Sequence, residues 1–233
     1  MTLVGTNWVV TTVSQSFGGP SGVAVGPDGN IYVADLNNHT IRKLTPGGSV
    51  TIIAGASGTP GSMDGTGTAA RFNFPVSVTV DSATNLYVAD FENSTIRKVT
   101  PTGTSWAVTT LAGVAGNQGY FDGTGSAAQF YEPGYLAVDS AGALYVADPY
   151  NNTIRKGFPA SSVPQPTLQP PSLSAGQFGF GITGLPGLAV NIESSTNLSQ
   201  WQLAGTVTLV GGTNYFVSPN PALGTQFYRG HVR

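Results

Sequence analysis

The stretch "YVADLNNHTIRK" (32–43) decides the fold, because the chain carries it three times with small changes. The second copy, "YVADFENSTIRK", begins at Tyr87, and the third, "YVADPYNNTIRK", begins at Tyr145. The segments "YVAD" and "TIRK" are unchanged in all three copies, whereas the four residues between them vary. Repetition at a nearly fixed period of this size predicts a repeat architecture.

Each copy lies within a longer pattern of alternating apolar and polar residues. A proline precedes each copy at the same distance, and an alternating strand, a polar turn and "YVAD" follow it; these prolines are Pro20, Pro75 and Pro133. "TIRK" predicts a third strand, and the segments 50–55 and 107–113 predict a fourth. Each repeat is therefore predicted to be a four-stranded antiparallel meander, the unit of a propeller blade.

Composition agrees with strands joined by tight turns. Only 9% of the 233 residues are charged, and the chain contains 32 glycines and 16 prolines. This mixture favours pleated strands over helices, so we expect an all-β protein. The net charge of −2 argues against nucleic acid as a partner, because binding phosphates requires an excess of Lys and Arg.

Cysteine and long apolar runs are missing from the sequence. We therefore expect no disulfide framework, no thiolate metal site and no membrane span. Residues 1–10 lack the basic start, apolar core and cleavage site of an export signal. We still expect the full-length form to be secreted or displayed at the cell surface, because of the resemblances described next.

The repeated segment resembles the NHL repeat of β-propeller proteins. That motif has an aspartate closing the second strand, then Asn-His and an apolar residue opening the third, which in the first copy are Asp35, Asn38, His39 and Ile41. The other copies match with Asp90, Asn93, Ser94 and Ile96, and with Asp148, Asn151, Asn152 and Ile154. The resemblance covers roughly residues 5–158 and implies a propeller, with the histidine kept in one copy only.

The predicted fold class is all-β, a partial or oligomer-completed β-propeller of NHL-type four-stranded blades plus a small C-terminal β-sandwich-like domain. Its predicted boundaries are 1–158 for the propeller segment, 159–175 for a Pro/Ser-rich linker and 176–233 for the C-terminal module. That module resembles one that closes many secreted multidomain bacterial proteins. We expect five strands in it, near 177–182, 188–193, 201–209, 213–217 and 226–232, with a core of Trp201, Phe216, Phe227 and Tyr228.

The start of the chain resembles the last strand of a blade. "GTNWVVTTV" from Gly5 matches "GTSWAVTTL" from Gly103, whereas the third repeat has no fourth strand of its own. We therefore expect the N-terminal strand to complete the last blade, as in closed propellers. Three blades are fewer than propellers usually have, which leaves three explanations: an N-terminally truncated segment of a longer ring, which we favour, a homodimer closing six blades, or an open arc.

The meander predicts where a ligand could bind. The loops between the second and third strands and those between blades emerge on one side, which we call the top face, and loops on a rigid scaffold carry function. We expect a non-enzymatic binding or scaffold protein whose top face binds a peptide, protein or glycan. The candidate binding residues are Asn37, Asn38, His39, Glu92, Asn93, Tyr120, Phe121, Tyr131, Glu132, Tyr150 and Asn151. The aromatic members could instead fill gaps between adjacent blades.

Three repeated aspartates, Asp35, Asp90 and Asp148, are predicted to be structural, because a residue present in every blade serves what all blades share. Asp64 and Asp122, in "DGTG", are weak calcium candidates, since one carboxylate per loop is few for that ion and Asp-Gly is an ordinary turn. We expect no metal and no cofactor. The alternative is a metal-dependent propeller enzyme of the lactonase or lyase kind, for which this segment offers no ligand set.

Overall fold

The structure is a computed structural model, and it describes residues 2–4, 7–159, 167–169, 172–174, 177–184, 189–200, 202–210, 213–218 and 227–232. The chain is all-β and divides into two compact units, Met1–Pro159 and Ala160–Arg233. Within the part of the chain that the structure describes, no helix has the length and apolar character needed to cross a bilayer.

The first unit contains three repeated antiparallel sheets, which we call blades 1 to 3. A hairpin comes first, formed by β1 (Thr2–Val4) and β2 (Asn7–Val9). Blade 1 has four strands in sequential order: β3 (Pro20–Val25), β4 (Ile31–Asp35), β5 (Thr40–Leu44) and β6 (Val50–Ala54).

Blade 2 repeats this order and gains a short edge strand from the loop before it. That edge strand is β7 (Gly65–Thr66), and the meander consists of β8 (Pro75–Val80), β9 (Leu86–Asp90), β10 (Thr95–Thr102) and β11 (Ser105–Ala112). Blade 3 has three strands: β12 (Tyr135–Val138), β13 (Leu144–Asp148) and β14 (Thr153–Gly157). The chain is therefore a partial β-propeller.

The N-terminal strand does not complete blade 3, contrary to the expectation from its sequence. The β2 strand, Asn7–Val9, pairs with β1 in register Thr2 to Val9. Among the described residues, the sheet of blade 3 ends at β14. The sequence match to the segment that begins at Gly103 reflects a local preference of the N-terminal segment for a strand. That preference does not specify which strand the segment pairs with.

A short turn of 3-10 helix joins the second strand of each blade to the third. These turns are Leu36–Asn38, Phe91–Asn93 and Pro149–Asn151. The residue after each turn has a left-handed backbone, at φ 56° in His39, 53° in Ser94 and 54° in Asn152. The backbone N–H of that residue donates to the first carbonyl of its turn, which closes the turn and starts the third strand.

The core lies between blades, because the inner strands bury residues on both of their faces. One apolar cluster joins Tyr32, Ala34 and Ile41 of blade 1 to Val78 and Val88 of blade 2. A second cluster joins blade 2 to blade 3 in the same way, with Tyr87 and Ile96 packed against Leu136, Leu144 and Val146. The "YVAD" strand contributes to these clusters in every blade, and in blade 2 its two faces contact different blades.

The outer faces of the first and last blades are exposed at positions that are buried inside the arc. Val23 of blade 1 is 68% exposed, whereas its equivalent in blade 2, Val78, is 4% exposed. Ile154 of blade 3 is 72% exposed, whereas Ile41 at the equivalent position is fully buried. The three blades thus bury apolar surface on each other and leave one blade face open at each end.

The described residues of the second unit form two antiparallel sheets. One is formed by β15 (Thr167–Leu168), β16 (Ser172–Ser174), β17 (Gln177–Thr183) and β20 (Thr213–Val217), and the other by β18 (Ala189–Ser195), β19 (Gln202–Thr208) and β21 (Phe227–Val232). Their apolar side chains share one cluster, which includes Phe180, Ile182, Val190, Ile192, Leu209 and Phe216.

Two expectations for this unit change with the structure. The predicted linker, 159–175, contains β15 and β16, which pair with β17 and so belong to the second unit. Of the four predicted core residues, Phe216 is buried and Tyr228 packs against the cluster, whereas Phe227 is 36% exposed. Trp201 lies outside the described residues.

Candidate functional site

The aspartate that ends "YVAD" holds the top face of each blade together. In blade 2, Oδ1 of Asp90 accepts the backbone N–H of Asn73 at 2.7 Å. Its Oδ2 accepts the Asn93 amide at 2.8 Å and the Arg97 guanidinium at 2.7 Å. Because Asp90 is fully buried, these donors replace its lost hydration. Burial raises the pKa of Asp90 to about 6, against the opposing effects of Arg97 and the hydrogen bonds.

The same arrangement occurs in blades 1 and 3. Each aspartate accepts a backbone N–H from the loop before its blade and an asparagine amide from the following turn, and it forms an ion pair with an arginine of the third strand. In blade 1 these are Asp35 with Gly18, Gly19, Asn38 and Arg42, and in blade 3 Asp148 with Tyr131, Asn151 and Arg155. The three aspartates therefore connect the loop, the turn and the third strand of their own blade.

Three asparagines proposed from the sequence as ligand-binding residues have structural contacts instead. The Asn93 amide donates to the carbonyl of Gly61 at 2.8 Å in addition to Asp90, and Asn93 is buried. The Asn151 amide donates in the same way to Gly119 at 2.7 Å. Asn38 donates to its aspartate and accepts from Ser57 at 3.2 Å. These side chains fix the inter-blade loops, so their amides are already occupied.

His39 links blade 1 to blade 2. Its side chain is 7% exposed, and its Nδ1 accepts the backbone N–H of Phe74 at 3.1 Å. The hydroxyl of Ser94, at the equivalent position of blade 2, accepts the backbone N–H of Glu132 at 3.2 Å, at the end of the loop that leads into blade 3. His39 is thus a connection between neighbouring blades, and its proposed role in ligand binding does not agree with its burial.

His39 gives the stability of the propeller a pH dependence. Burial lowers the pKa of His39, because the neutral ring is favoured in the folded chain. The unfolded chain takes up the proton near pH 6.5, at about the usual histidine pKa. The stability from neutral His39 is therefore present above about pH 6.5 and is lost as the pH falls through the folded pKa.

We expect the melting temperature of the wild type to fall more steeply between about pH 7.5 and pH 5 than that of His39→Asn. Asparagine already occupies this position in blade 3, as Asn152 with φ 54°, so the backbone tolerates it. Asp90 titrates in the same range in both proteins, so the difference between the two curves isolates His39. If the melting temperatures of the two proteins change in parallel with pH, His39 is not the source of the pH dependence.

The two weak metal candidates form ion pairs. Asp64 accepts from Arg97 at 2.7 Å and from the Thr110 hydroxyl at 2.9 Å, and Asp122 pairs with Arg155. Across the described ranges, no group of three or more His, Cys, Asp or Glu side chains is placed to hold a metal ion. The "DGTG" segments lead into one turn of 3-10 helix, Gly67–Ala69 and Gly125–Ala127.

The two inter-blade loops, 55–74 and 113–132, share one backbone framework. In the first, the N–H of Gly61 donates to Phe72 at 3.1 Å, and in the second Gly119 donates to Phe130 at 3.0 Å. The N–H groups of Arg71 and Gln129 likewise donate to Met63 and Phe121, both at 2.9 Å. Phe72 and Phe130 are buried and fill the gaps between blades. The framework therefore allows the two loops to be compared position by position.

The second loop and the turn beside it carry aromatic rings where the equivalent positions have none. Tyr120, Phe121, Tyr131 and Tyr150 stand where blade 2 has Ser62, Met63, Asn73 and Glu92. Their exposures are 68%, 56%, 36% and 57%, so they lie on the surface of the top face. Gap filling, the alternative left open by the sequence, is done by Phe72 and Phe130.

Two of the exposed rings, Tyr131 and Tyr150, and the half-buried ring of Phe91 form what we call the aromatic platform. Tyr131 and Tyr150 are stacked with ring centroids 5.0 Å apart and planes inclined by 24°. Phe91 meets Tyr150 edge-on at 6.3 Å. The platform joins the turn of blade 2 to the turn and loop of blade 3. Tyr120 and Phe121 form a second pair of rings at 4.6 Å.

Polar side chains lie next to the platform. Glu132 follows Tyr131 in the chain, and its Oε1 accepts the Gln118 amide at 3.2 Å. Glu92 is exposed on the turn that carries Phe91. The remaining candidate, Asn37, lies on the turn of blade 1 and not on the blades that carry the platform, and its exposed amide donates to the carbonyl of Gly18 at 3.1 Å. Phe91 and Gln118 were not singled out from the sequence. Comparing the two loops residue by residue would have drawn attention to this region.

Comparison with known proteins supports an NHL-type propeller. The family model described as "NHL repeat" matches residues 17–44 and 72–99. The chain is 36% identical over 157 residues to Protein SUPPRESSOR OF QUENCHING 1, chloroplastic, of Arabidopsis thaliana, covering 62% of this chain and 14% of that protein. It is 34% identical over 151 residues to human NHL repeat-containing protein 2, covering 60% and 20%. The chain thus spans a fifth or less of these relatives.

Comparison with solved structures also supports a β-propeller. An auxiliary nutrient binding protein from Bacteroides thetaiotaomicron is 28% identical with a TM-score of 0.51, covering 57% of this chain and 36% of that one. Another auxiliary nutrient binding protein, from Bacteroides ovatus, is 29% identical with a TM-score of 0.50 and the same coverage.

Proposed function

We propose that this chain is a non-enzymatic binding or scaffold protein that holds a peptide, protein or glycan on the top face of blades 2 and 3. One observation supports the proposal. The loop that carries the exposed rings has the same backbone hydrogen bonds as the equivalent loop before blade 2, which has no rings at these positions, so the rings are not required to form the loop. Large rigid aromatic side chains give contact area at low entropic cost, and they are frequent anchors of binding sites. The likeness to auxiliary nutrient binding proteins supports the same role.

The proposal also covers the second unit, the location of the full-length protein and its oligomeric state. The second unit would be a small β-sandwich-like module, and the full-length protein would be secreted or held at the cell surface. A homodimer that completes the ring would cover the open faces at Val23 and Ile154. These parts of the proposal rest on the resemblance of the module and on the bacterial structural relatives.

The binding role can be tested by exposing the whole chain to one array of glycans and one of short peptides. Tyr131→Asn and Tyr150→Glu place on blade 3 the residues that blade 2 has at these positions, so both variants should fold. We expect the wild type to bind members of one array and each variant to bind about tenfold or more weakly. Tyr215→Ala, in the second unit and 72% exposed, is the matched control.

Two results would contradict the proposal. One is the absence of binding to both arrays by the wild type. The other is binding that both platform variants retain in full, because the top face of blades 2 and 3 would then not be the site.

A further inference from the structure

The platform differs from a surface of scattered apolar residues because its central ring is held in place. Tyr150 stacks on Tyr131 at 5.0 Å and contacts Phe91 at 6.3 Å, yet 57% of it remains exposed. The backbone beneath it is fixed by the Asn151 amide, which donates to Gly119 and Asp148. A ring held in this way loses little conformational entropy when a ligand binds, so the site is preorganised.

The charged residues around the platform indicate which chemical class of ligand it can bind. The segments that carry it, 91–93, 113–132 and 149–151, contain no lysine or arginine. The nearest arginine on the third strand of blade 3, Arg155, is paired with Asp122 and Asp148. A phosphorylated, acidic or nucleic acid ligand would therefore find no lysine or arginine on the segments that carry the platform.

The polar groups beside the rings can form hydrogen bonds with hydroxyl groups of a ligand. Glu132 and Gln118 together present carboxylate and amide oxygens as acceptors, and the phenol groups of Tyr131 and Tyr150 both donate and accept. The face of an aromatic ring carries partial negative charge and attracts polarised C–H groups. A pyranose ring offers both features, with C–H groups on its faces and hydroxyls at its edge.

From these observations we infer that the aromatic platform is a binding site for a neutral pyranose sugar, as part of a longer glycan. This inference rests on the binding function proposed above and names its ligand class. Tyr150 is the stacking surface, Tyr131 and Phe91 hold it in place, and Glu132 with Gln118 binds hydroxyls at the edge of the sugar.

Isothermal titration calorimetry with four neutral hexasaccharides, of α-1,4-glucose, β-1,4-glucose, β-1,3-glucose and β-1,4-mannose, tests the assignment on the whole chain. We expect one or more to bind, with affinity reduced about tenfold or more by Tyr150→Glu and by Tyr131→Asn, and reduced severalfold by Glu132→Ala. Tyr135→Ala, at a tyrosine that is 68% exposed on β12, should bind as the wild type does. Raising salt from about 0.05 to about 0.5 M should leave the affinity of a neutral ligand unchanged.

The outcomes separate this inference from the function on which it rests. If no hexasaccharide binds while a peptide array binds and loses its signal in Tyr150→Glu, the sugar assignment is overturned and the binding function stands. If a hexasaccharide binds equally well to all variants, the platform is not its site. If neither sugars nor peptides bind, both the inference and the proposed function fail.

Discussion

Replacing Arg97 with methionine is expected to lower the free energy of unfolding by roughly 3 to 5 kcal/mol. Arg97 and Asp90 are both fully buried between the blades, with Nη1 and Oδ2 2.7 Å apart. The guanidinium also donates to the carbonyls of Arg71 and Met63 and to the Asp64 carboxylate. Methionine would fill much of the volume but leave a buried carboxylate without its cation and the Arg71 carbonyl without the guanidinium donor, whereas the Met63 carbonyl would keep the Arg71 backbone N–H.

Chemical denaturation measures this loss, and blade 1 provides a matched control. Arg42 occupies the equivalent position and pairs with Asp35 at 2.7 Å, but its side chain is 16% exposed. Because water can reach the carboxylate once Arg42 is removed, Arg42→Met should lose clearly less stability. Equal losses of unfolding free energy in Arg97→Met and Arg42→Met would contradict the claim that burial of the ion pair determines the size of the effect. Adding Asp90→Asn to Arg97→Met should restore part of the loss, since the unpaired charge is then gone.

The second large effect is expected for Phe72→Ala, with a loss of roughly 3 to 5 kcal/mol. Phe72 is fully buried in the cluster between blades 1 and 2, and the Arg97 guanidinium carbon lies 5.2 Å from its ring centroid. Alanine would leave a cavity at the blade interface, because the strands on either side are held by their own ladders and cannot close it. The loss is measured as the change in unfolding free energy at constant pH.

Phe74→Ala is the control, since Phe74 lies two residues further along the same loop and is 37% exposed. Its ring contacts His39 edge-on at 4.7 Å, and its backbone N–H bond to His39 does not depend on the side chain. We expect a loss of about 1 kcal/mol. A Phe72→Ala variant as stable as Phe74→Ala would show that the blades are not held together through this cluster.

Much of the propeller could be predicted from the repeats alone. The alternating residues around each "YVAD" predicted the strands of all three blades, because strand faces follow a period of two. They also predicted no fourth strand for blade 3, and its sheet ends at β14 among the described residues. In the second unit five strands were predicted near their bounds, for example 177–182 against Gln177–Thr183 and 213–217 against Thr213–Val217, whereas β15 and β16 fell in the predicted linker. Within the meander of each blade local preference is sufficient, because each strand pairs with its neighbour in the chain. In the second unit β17 pairs with β20 and β18 with β21, so local preference did not determine the pairing there.

The roles of individual polar residues could not be predicted in this way. His39 contacts a backbone N–H 35 residues further along, and Asn93 contacts a carbonyl 32 residues earlier. Contacts across such separations depend on how one blade packs against the next, which the repeat pattern does not specify. For this reason the candidate list mixed exposed rings with amides that already have partners.

What the sequence by itself determined is the blade: its strands, its turns and the side on which its variable residues lie. The tertiary structure decided which of those residues remain available. The packing of blade on blade buried His39 and Asn93 and left Tyr150 exposed on a fixed stack. It also decided that the N-terminal strand pairs with its own hairpin. The physical reason is that strand formation depends on near neighbours, whereas burial and pairing depend on residues brought together from distant parts of the chain.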